Sequence, residues 1–179
     1  MKKVVLISSS LRKNSNSDCL ARAFQEGAAQ AGNPTELISL AGKKLNFCLG
    51  CMACQATGKC IQKDDAAEIA EKIKNAQVLV FATPVYYYCM SGQLKTLLDR
   101  CNPLFPGEYA FREVYLLATA ADGEESAMDG AEKGMQGWVD CFEKARLAGV
   151  VRGVGLNDPG EAAKNAALLS RVRQMGREI

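Results

Sequence analysis

The 179-residue chain contains no histidine. That absence excludes Ser-His and Cys-His hydrolase triads and the imidazole ligands of most zinc enzymes. There is also no long basic run: 22 Lys and Arg stand against 20 Asp and Glu, for a net charge of +2, so no nucleic-acid partner is expected. The apolar run near the start ends at Ser8, too soon for an export signal, and no stretch approaches the roughly 20 apolar residues of a membrane span. We therefore expect a cytoplasmic protein with no membrane partner.

Cysteine, by contrast, is abundant. Four of the eight cysteines lie within thirteen residues, in the spacing C-x2-C-x2-C-x5-C. They are Cys48, Cys51, Cys54 and Cys60. In a reducing compartment such residues are expected to be thiols or ligands and not disulfides. Thiols this close can converge on one metal centre or serve redox chemistry.

Five apolar runs alternate with amphipathic segments along the chain. The runs at residues 3–7, 36–40, 77–82, 113–120 and 149–156 are predicted strands. The third and fourth are continuously apolar, which is typical of central parallel strands covered on both faces. The alternation predicts one domain over residues 1–179, an α/β fold in which helices cover both faces of a doubly wound, five-stranded parallel sheet.

Capping signals mark the starts of the predicted helices. Asn16 or Ser17 is the expected cap of the first helix, Asp65 with Glu68 forms a capping-box pattern, and Ser91 can cap a later helix. A helix is predicted over about residues 126–148, and a last helix is predicted to start with residues 158–161, Asp-Pro-Gly-Glu.

In such a fold, ligands bind beyond the carboxyl ends of the strands. The loop after the first strand, residues 8–17, is polar and leads into a helix, where free N–H groups, the helix dipole and Arg12 favour a phosphate. No dinucleotide fingerprint or nucleoside-triphosphate loop is present. A solvated polar loop with a helix cap is the alternative interpretation.

The loop after the third strand contains Pro84 and three consecutive tyrosines, Tyr86 to Tyr88. A planar aromatic ligand would bury these rings, and a subunit interface would do so equally well. The loop after the fourth strand, residues 119–123, is small and polar, which suits close approach of the backbone to the edge of a ring.

These loops resemble one known family. Ser10-Leu11-Arg12 with Asn16-Ser17, then Thr83-Pro84-Val85-Tyr86-Tyr87 with Ser91-Gly92 and the helix Lys95-x-x-Leu98-Asp99-Arg100, are similar to the NADPH-dependent FMN reductases. The likeness covers roughly the first 120 residues. It implies a flavodoxin-like sheet of strand order 2-1-3-4-5, noncovalent FMN, NAD(P)H as co-substrate, and a homodimer or homotetramer.

The resemblance also implies the contacts of FMN. Those on the phosphate would be Ser10, Arg12, Asn16 and Ser17. Those beside the flavin ring would be Thr83, Pro84, Val85, Tyr86, Tyr87, Met90, Ser91 and Gly92, with Thr119, Ala120 and Ala121 on its far side.

The cysteine loop, residues 41–63, connects the second strand to its helix and is much longer than most such connections. Its four cysteines resemble the compact motif of the iron–sulfur flavoproteins, a branch of the same family, and this likeness implies a [4Fe-4S] cluster on Cys48, Cys51, Cys54 and Cys60. Thiols without a cluster, either redox-active or structural, are the open alternative.

The sequence therefore predicts an FMN-dependent NAD(P)H oxidoreductase that reduces a small-molecule acceptor such as a flavin, a quinone, or a nitro or azo compound. One alternative is an iron–sulfur flavoprotein that exchanges electrons with a ferredoxin-like protein. The other is a flavodoxin-fold interaction module without catalysis. No catalytic acid or base is assigned, because in flavoenzymes the cofactor performs the redox step.

Overall fold

The computed structural model describes residues 1–179 and is built on one central sheet. Its parallel strands are β1 (Val4–Ser8), β2 (Thr35–Ser39), β3 (Val78–Tyr86), β5 (Glu113–Thr119) and β6 (Arg146–Gly153). A two-residue strand, β4 (Cys89–Met90), pairs antiparallel with the end of β3. The spatial order is β2-β1-β3-β5-β6, which is 2-1-3-4-5 among the parallel strands. The predicted doubly wound fold is confirmed.

Seven helices connect and cover the strands. They are α1 (Asn16–Gln30), α2 (Ala53–Thr57), α3 (Asp65–Lys74), α4 (Gly92–Arg100), α5 (Asp129–Val139), α6 (Glu161–Lys164) and α7 (Ala166–Arg177). Two 3-10 segments, Asn102–Leu104 and Glu125–Met128, follow α4 and precede α5. None of these helices combines the length and the apolar composition needed to cross a membrane.

The sheet separates two hydrophobic cores, because successive side chains of a strand point to opposite faces. Val5 and Ile7 join the core beneath α3, α4 and α5, whereas Val4 and Leu6 join the core beneath α1 and α7. The run 78–82 of β3 is fully buried and contributes to both cores. Burial on both faces explains why the central strands are continuously apolar in sequence.

Two of the predicted caps are wrong by one residue. Ser15 caps α1, accepting a hydrogen bond from the Asp18 N–H at 3.1 Å. Asp64, not Asp65, caps α3 through the Ala66 N–H. Ser91 caps α4 as predicted, at 3.4 Å from the Leu94 nitrogen.

The helix predicted over 126–148 is shorter than expected. It begins as α5 at Asp129 and ends at Val139, and β6 already starts at Arg146, three residues before the predicted strand. Trp138 and Phe142 pack together at 4.8 Å between ring centroids, on either side of the helix end, which turns the chain back toward the sheet. The last helix also differs, since Asn165 divides it into α6 and α7.

Candidate functional site

A cavity of about 260 Å³ opens at the carboxyl edge of the sheet. Because β1, β3 and β5 are neighbours, the loops that follow these strands meet there. Nine of the fifteen residues predicted to bind a cofactor line it: Ser10, Arg12, Asn16, Ser17, Pro84, Val85, Tyr86, Thr119 and Ala121. The structure thus brings together residues from all three predicted loops.

The first turn of α1 forms one end of the cavity. Ser17 is buried, and its hydroxyl has no hydrogen-bond partner. A buried hydroxyl of this kind costs free energy unless a ligand or water supplies the partner. In this first turn the Asp18 N–H is bonded to the Ser15 cap, and the N–H groups before it are free at the positive end of the helix dipole. This end of the cavity therefore suits a phosphate.

Asn16 has a different role from its neighbour. Its amide nitrogen donates to the carbonyls of Leu156 at 3.2 Å and Asp158 at 2.9 Å, and its oxygen accepts from the Ala162 N–H at 3.0 Å. The side chain is thus fully engaged within the protein. It holds the segment after β6 against the cavity, and only its backbone remains available to a ligand.

That segment provides lining residues which the sequence did not reveal. Leu156, Asn157 and Pro159 line the cavity together with Ser15. Arg12 reaches across to the Asn157 carbonyl at 3.1 Å. The available signal was the position of residues 157–159 directly after the predicted strand 149–156, but Asp158 and Pro159 were interpreted only as the start of a helix.

Several predicted residues support the cavity without lining it. The Ser91 hydroxyl donates to the Ser9 hydroxyl at 2.9 Å, and the Ser91 N–H donates to the Thr83 hydroxyl at 3.0 Å. This buried network joins the ends of β1 and β3 to the start of α4. Met90 and Ala120 are buried in the core, and Gly92 borders a neighbouring groove.

The tyrosine run forms the tip of the β3–β4 hairpin. Tyr87 and Tyr88 occupy the turn with φ of +48° and +61°, left-handed values that are uncommon for residues other than glycine. Gly130 of α5 lies so close to the Tyr88 carbonyl that a Cβ there would overlap it. Contact with α5 thus holds the turn in place. The side chain of Tyr87 is nevertheless 99% exposed. Tyr87 therefore does not border the cavity, although Tyr86 does.

The cysteine loop contains free thiols in different environments. Cys48 and Cys51 are exposed, Cys60 is half-buried and Cys54 is buried. No three Cys, Asp or Glu side chains come close enough together to hold a metal ion. The donor set suits an iron–sulfur cluster chemically, but the sulfurs stand apart and do not form a ready-made cage.

Two polar side chains outside the loop contact its sulfurs. Arg100, at the end of α4, donates to Cys60 Sγ at 3.4 Å, and Asn102 donates to Cys54 Sγ at 3.4 Å. Arg100 also forms a buried ion pair with Asp64. Burial acts to raise the pKa of Asp64, but the hydrogen bonds from Arg100 and from the Asn46 N–H outweigh it and hold the pKa below its usual value.

Comparison with known proteins adds independent information. Residues 2–143 match the sequence profile of NADPH-dependent FMN reductases. The chain is 45% identical over 102 residues to an iron–sulfur flavoprotein of Methanocaldococcus jannaschii, covering 57% of this chain and 53% of that protein. It is 31% identical over 134 residues to the iron–sulfur flavoprotein of Methanosarcina thermophila, covering 75% and 69%. The chain spans about half the length of the first curated relatives that it matches.

Among solved structures, the NAD(P)H:quinone oxidoreductase of Methanothermobacter marburgensis superposes with a TM-score of 0.76. The superposition covers 99% of this chain and 95% of that one at 21% sequence identity. Likeness at this level of identity shows that the two proteins share a fold.

Proposed function

This chain belongs to the NADPH-dependent FMN reductase family, and on that premise we propose that it is an FMN-dependent NAD(P)H oxidoreductase. The observation that supports this most directly is the cavity at the carboxyl edge of the sheet, with the unpartnered Ser17 hydroxyl at the start of α1. Its volume of about 260 Å³ is below the roughly 300–1,000 Å³ of most ligand pockets. It would therefore hold the phosphate and sugar-alcohol end of FMN and leave the ring on the more open surface beside Tyr86.

The lining residues divide by chemistry. Ser10, Arg12 and Ser17 offer hydroxyl and guanidinium donors to a phosphate. Pro84, Val85 and Tyr86 offer apolar and aromatic contact to a flat ring, and Thr119 and Ala121 approach from the next strand. Bound FMN would supply the redox chemistry, taking electrons from NAD(P)H and passing them to a small-molecule acceptor such as a flavin, quinone, nitro or azo compound. The protein would hold the ring in a fixed orientation beside these residues.

The experiment is to purify the protein, record its visible spectrum, and identify the cofactor released by heat. We expect FMN, with oxidation of NADPH or NADH that depends on an added quinone. Release of FAD would contradict the proposed cofactor. A colourless protein that neither takes up added FMN nor oxidises nicotinamide would favour the non-catalytic interaction module.

A second candidate function is that of an iron–sulfur flavoprotein in the cytoplasm, with a [4Fe-4S] cluster on the four loop cysteines and a ferredoxin-like protein as partner. Two observations favour it. The chain is similar to iron–sulfur flavoproteins, and N–H donors point at the sulfurs of Cys54 and Cys60. Closure of the loop would have to bring the separated sulfurs together. Cys51→Ser should abolish the iron of anaerobically prepared protein and leave its flavin content unchanged. If the wild-type protein contains almost no iron after anaerobic assembly with iron and sulfide, this candidate is rejected.

We also propose that the chain assembles as a homodimer or homotetramer. Tyr86, Tyr87 and Tyr88 are 48%, 99% and 64% exposed beside the cavity, which is more aromatic surface than an isolated soluble domain usually presents.

A further inference from the structure

The four cysteines are flanked by two residues that meet in space. The Asn46 N–H donates to Asp64 Oδ2 at 2.8 Å, so the two ends of the segment that contains the cysteines lie next to each other. Arg100 joins both sides of this junction. Its Nη1 donates to the Asn46 carbonyl at 2.8 Å and to Asp64 Oδ2 at 2.6 Å, and its Nη2 donates to Asp64 Oδ1 at 2.8 Å. We call this three-residue junction the clasp.

The clasp is unusual for its burial. The side chains of Arg100 and Asp64 are both 0% exposed. Removing two charges from water costs about as much free energy as their attraction returns, so an apolar pair of similar size would stabilise the fold as well. The buried Nε of Arg100 has no partner at all. Stability alone therefore gives no reason for this pair, whereas fixing the ends of one particular loop does.

The same region supplies donors to two cysteine sulfurs and to the sulfur of Met52. Arg100 Nη2 lies 3.4 Å from Cys60 Sγ, and Asn102 Nδ2 lies 3.4 Å from Cys54 Sγ and 4.0 Å from Met52 Sδ. Cys48 borders the same turn after α4, in a hollow of about 380 Å³ that it shares with Cys101 and Asn102. Three of the four loop cysteines thus face one short stretch of chain.

The short helix α2 lies at this contact. It has five residues, no side-chain cap, and Met52 before it at a left-handed φ of +58°. An isolated helix of this length is unstable in water. Its only buried residue is Cys54, whose sulfur accepts the Asn102 hydrogen bond.

We infer that Arg100 and Asn102 are positioning residues of the cysteine loop: Arg100 clasps its two ends, and the two side chains supply N–H donors to the sulfurs of Cys60 and Cys54. Donors of this kind stabilise negative charge on sulfur, and they favour the reduced state of a redox centre that those sulfurs bind. The statement about a redox centre rests on the proposed iron–sulfur function, whereas the clasp does not.

The clasp is tested in protein freed of metal by a chelator, by hydrogen exchange of the amides in residues 44–64. Arg100→Lys keeps the charge but loses the fork that reaches several acceptors at once. We expect exchange in this segment to accelerate by about tenfold or more, the effect of losing a charged hydrogen bond. Asn102→Ala should accelerate residues 52–58 alone. The matched control is Arg152→Lys, which alters a forked ion pair with Glu132 that joins β6 to α5 and has no hydrogen bond to the loop. Wild-type exchange rates in Arg100→Lys would overturn the clasp.

The donors are tested in protein assembled anaerobically with iron and sulfide, by separate redox titration of cluster and flavin. Asn102→Ala should lower the midpoint potential of the cluster and leave that of the flavin unchanged, and Asn102→Gln, which keeps an amide donor, should return it toward the wild-type value. Asn75→Ala, at the end of α3, serves as the control. An unchanged cluster potential in Asn102→Ala would overturn the donor role. If the wild-type protein takes up no iron, the proposed cluster and the donor role are both wrong, and the clasp is decided by the exchange experiment.

Discussion

At the scale of single residues, two serines of the β1–α1 connection show how neighbouring hydroxyls divide structural and binding roles. The Ser15 hydroxyl is engaged as the cap of α1. The Ser17 hydroxyl, two positions later, is buried without a partner and borders the cavity. The fold accounts for the first hydroxyl, and the second is left available to a ligand.

Replacing Ser17 with alanine should weaken the binding of FMN without lowering the stability of the fold. We expect the dissociation constant to rise by roughly tenfold, because a hydrogen bond to a charged phosphate is lost. The free energy of unfolding of the FMN-free protein should not fall, since the hydroxyl has no partner there. Flavin fluorescence titration and urea unfolding measure the two quantities.

Ser15→Ala is the matched comparison for stability, because the Ser15 hydroxyl has a hydrogen-bond partner within the protein. Loss of the cap should lower the free energy of unfolding by about 1 kcal/mol. If Ser17→Ala binds FMN as tightly as the wild-type protein, the hydroxyl does not contact the phosphate.

Single-residue roles were only partly predictable from the sequence. The polar loop at a helix start indicated a phosphate site, and Ser10, Arg12 and Ser17 do border the cavity. The bracing role of Asn16 was hidden, because its partners lie 140 or more residues away along the chain. The two donors to the cysteine sulfurs were hidden because they lie 40 and 48 residues from those sulfurs along the chain.

At the scale of elements, α1 and α7 pack together through a pair of glycines. A Cβ on Gly27 would overlap the Arg173 carbonyl, and a Cβ on Gly176 would overlap the Phe24 carbonyl. The two helix backbones can approach this closely only because both positions lack a side chain. Since α1 begins at the cavity, this contact also fixes its direction there.

Gly176→Ala should therefore destabilise the protein, although alanine is the better helix former by about 1 kcal/mol. We expect a loss of roughly 1–3 kcal/mol in the free energy of unfolding, the usual cost of overpacking. Gly137→Ala, in α5, is the control, because nothing lies within 4 Å of its added Cβ. It should raise stability by about 0.5–1 kcal/mol. Equal effects of the two substitutions in urea unfolding would contradict the close-packing explanation.

Element types were easier to predict than element ends. All five parallel strands were found: the central strands β1, β3 and β5 are buried almost continuously and leave a plain apolar signal, and the half-buried edge strands β2 and β6 still carry recognisable apolar runs. The predicted long helix over 126–148 was wrong in length, because local periodicity does not report that Trp138 and Phe142 pack with Phe111 from another part of the chain. The division of the last helix at Asn165 was likewise missed.

At the scale of the whole molecule, the two edges of the sheet differ. The carboxyl edge holds the cavity. At the amino edge, Glu113 at the start of β5 accepts hydrogen bonds from Lys2 at 2.7 Å and from Arg146 at 2.8 Å, and so links β5 to the starts of β1 and β6. The Lys2 hydrogen bond lowers the pKa of Glu113, burial opposes it, and Arg146 lowers the pKa further, so that the net result is a pKa below the ordinary 4.5.

This pairing predicts a pH-dependent part of the stability. Because the pKa of Glu113 is lower in the folded than in the unfolded state, the stabilisation is complete above the ordinary value and is lost as the pH falls through the folded value. Glu113→Gln should therefore be less stable than wild type by roughly 1 kcal/mol at neutral pH, and the difference should shrink below about pH 4. Urea unfolding across this range tests it, and a difference that stays constant with pH would count against it.

The exposed tyrosines give a prediction about assembly. If Tyr86 to Tyr88 lie in a subunit contact, light scattering at micromolar concentration should give the mass of a dimer or tetramer. Tyr87→Asp should shift the protein toward the 19.3 kDa monomer, because a charge at a buried contact is costly. Lys133→Asp, on the exposed face of α5, is the control. A monomeric wild-type protein would reject the interface.

The wall of the cavity that Asn16 holds in place also bears on how the protein is made. Synthesis proceeds from the amino terminus, so the ribosome releases the loops after β1, β3 and β5 well before Leu156, Asn157 and Pro159. Until those residues emerge, a nascent chain has a cavity open on one side and an Asn16 amide without its partners. A cofactor that met the growing chain early would dissociate, and lasting capture must wait for this late segment.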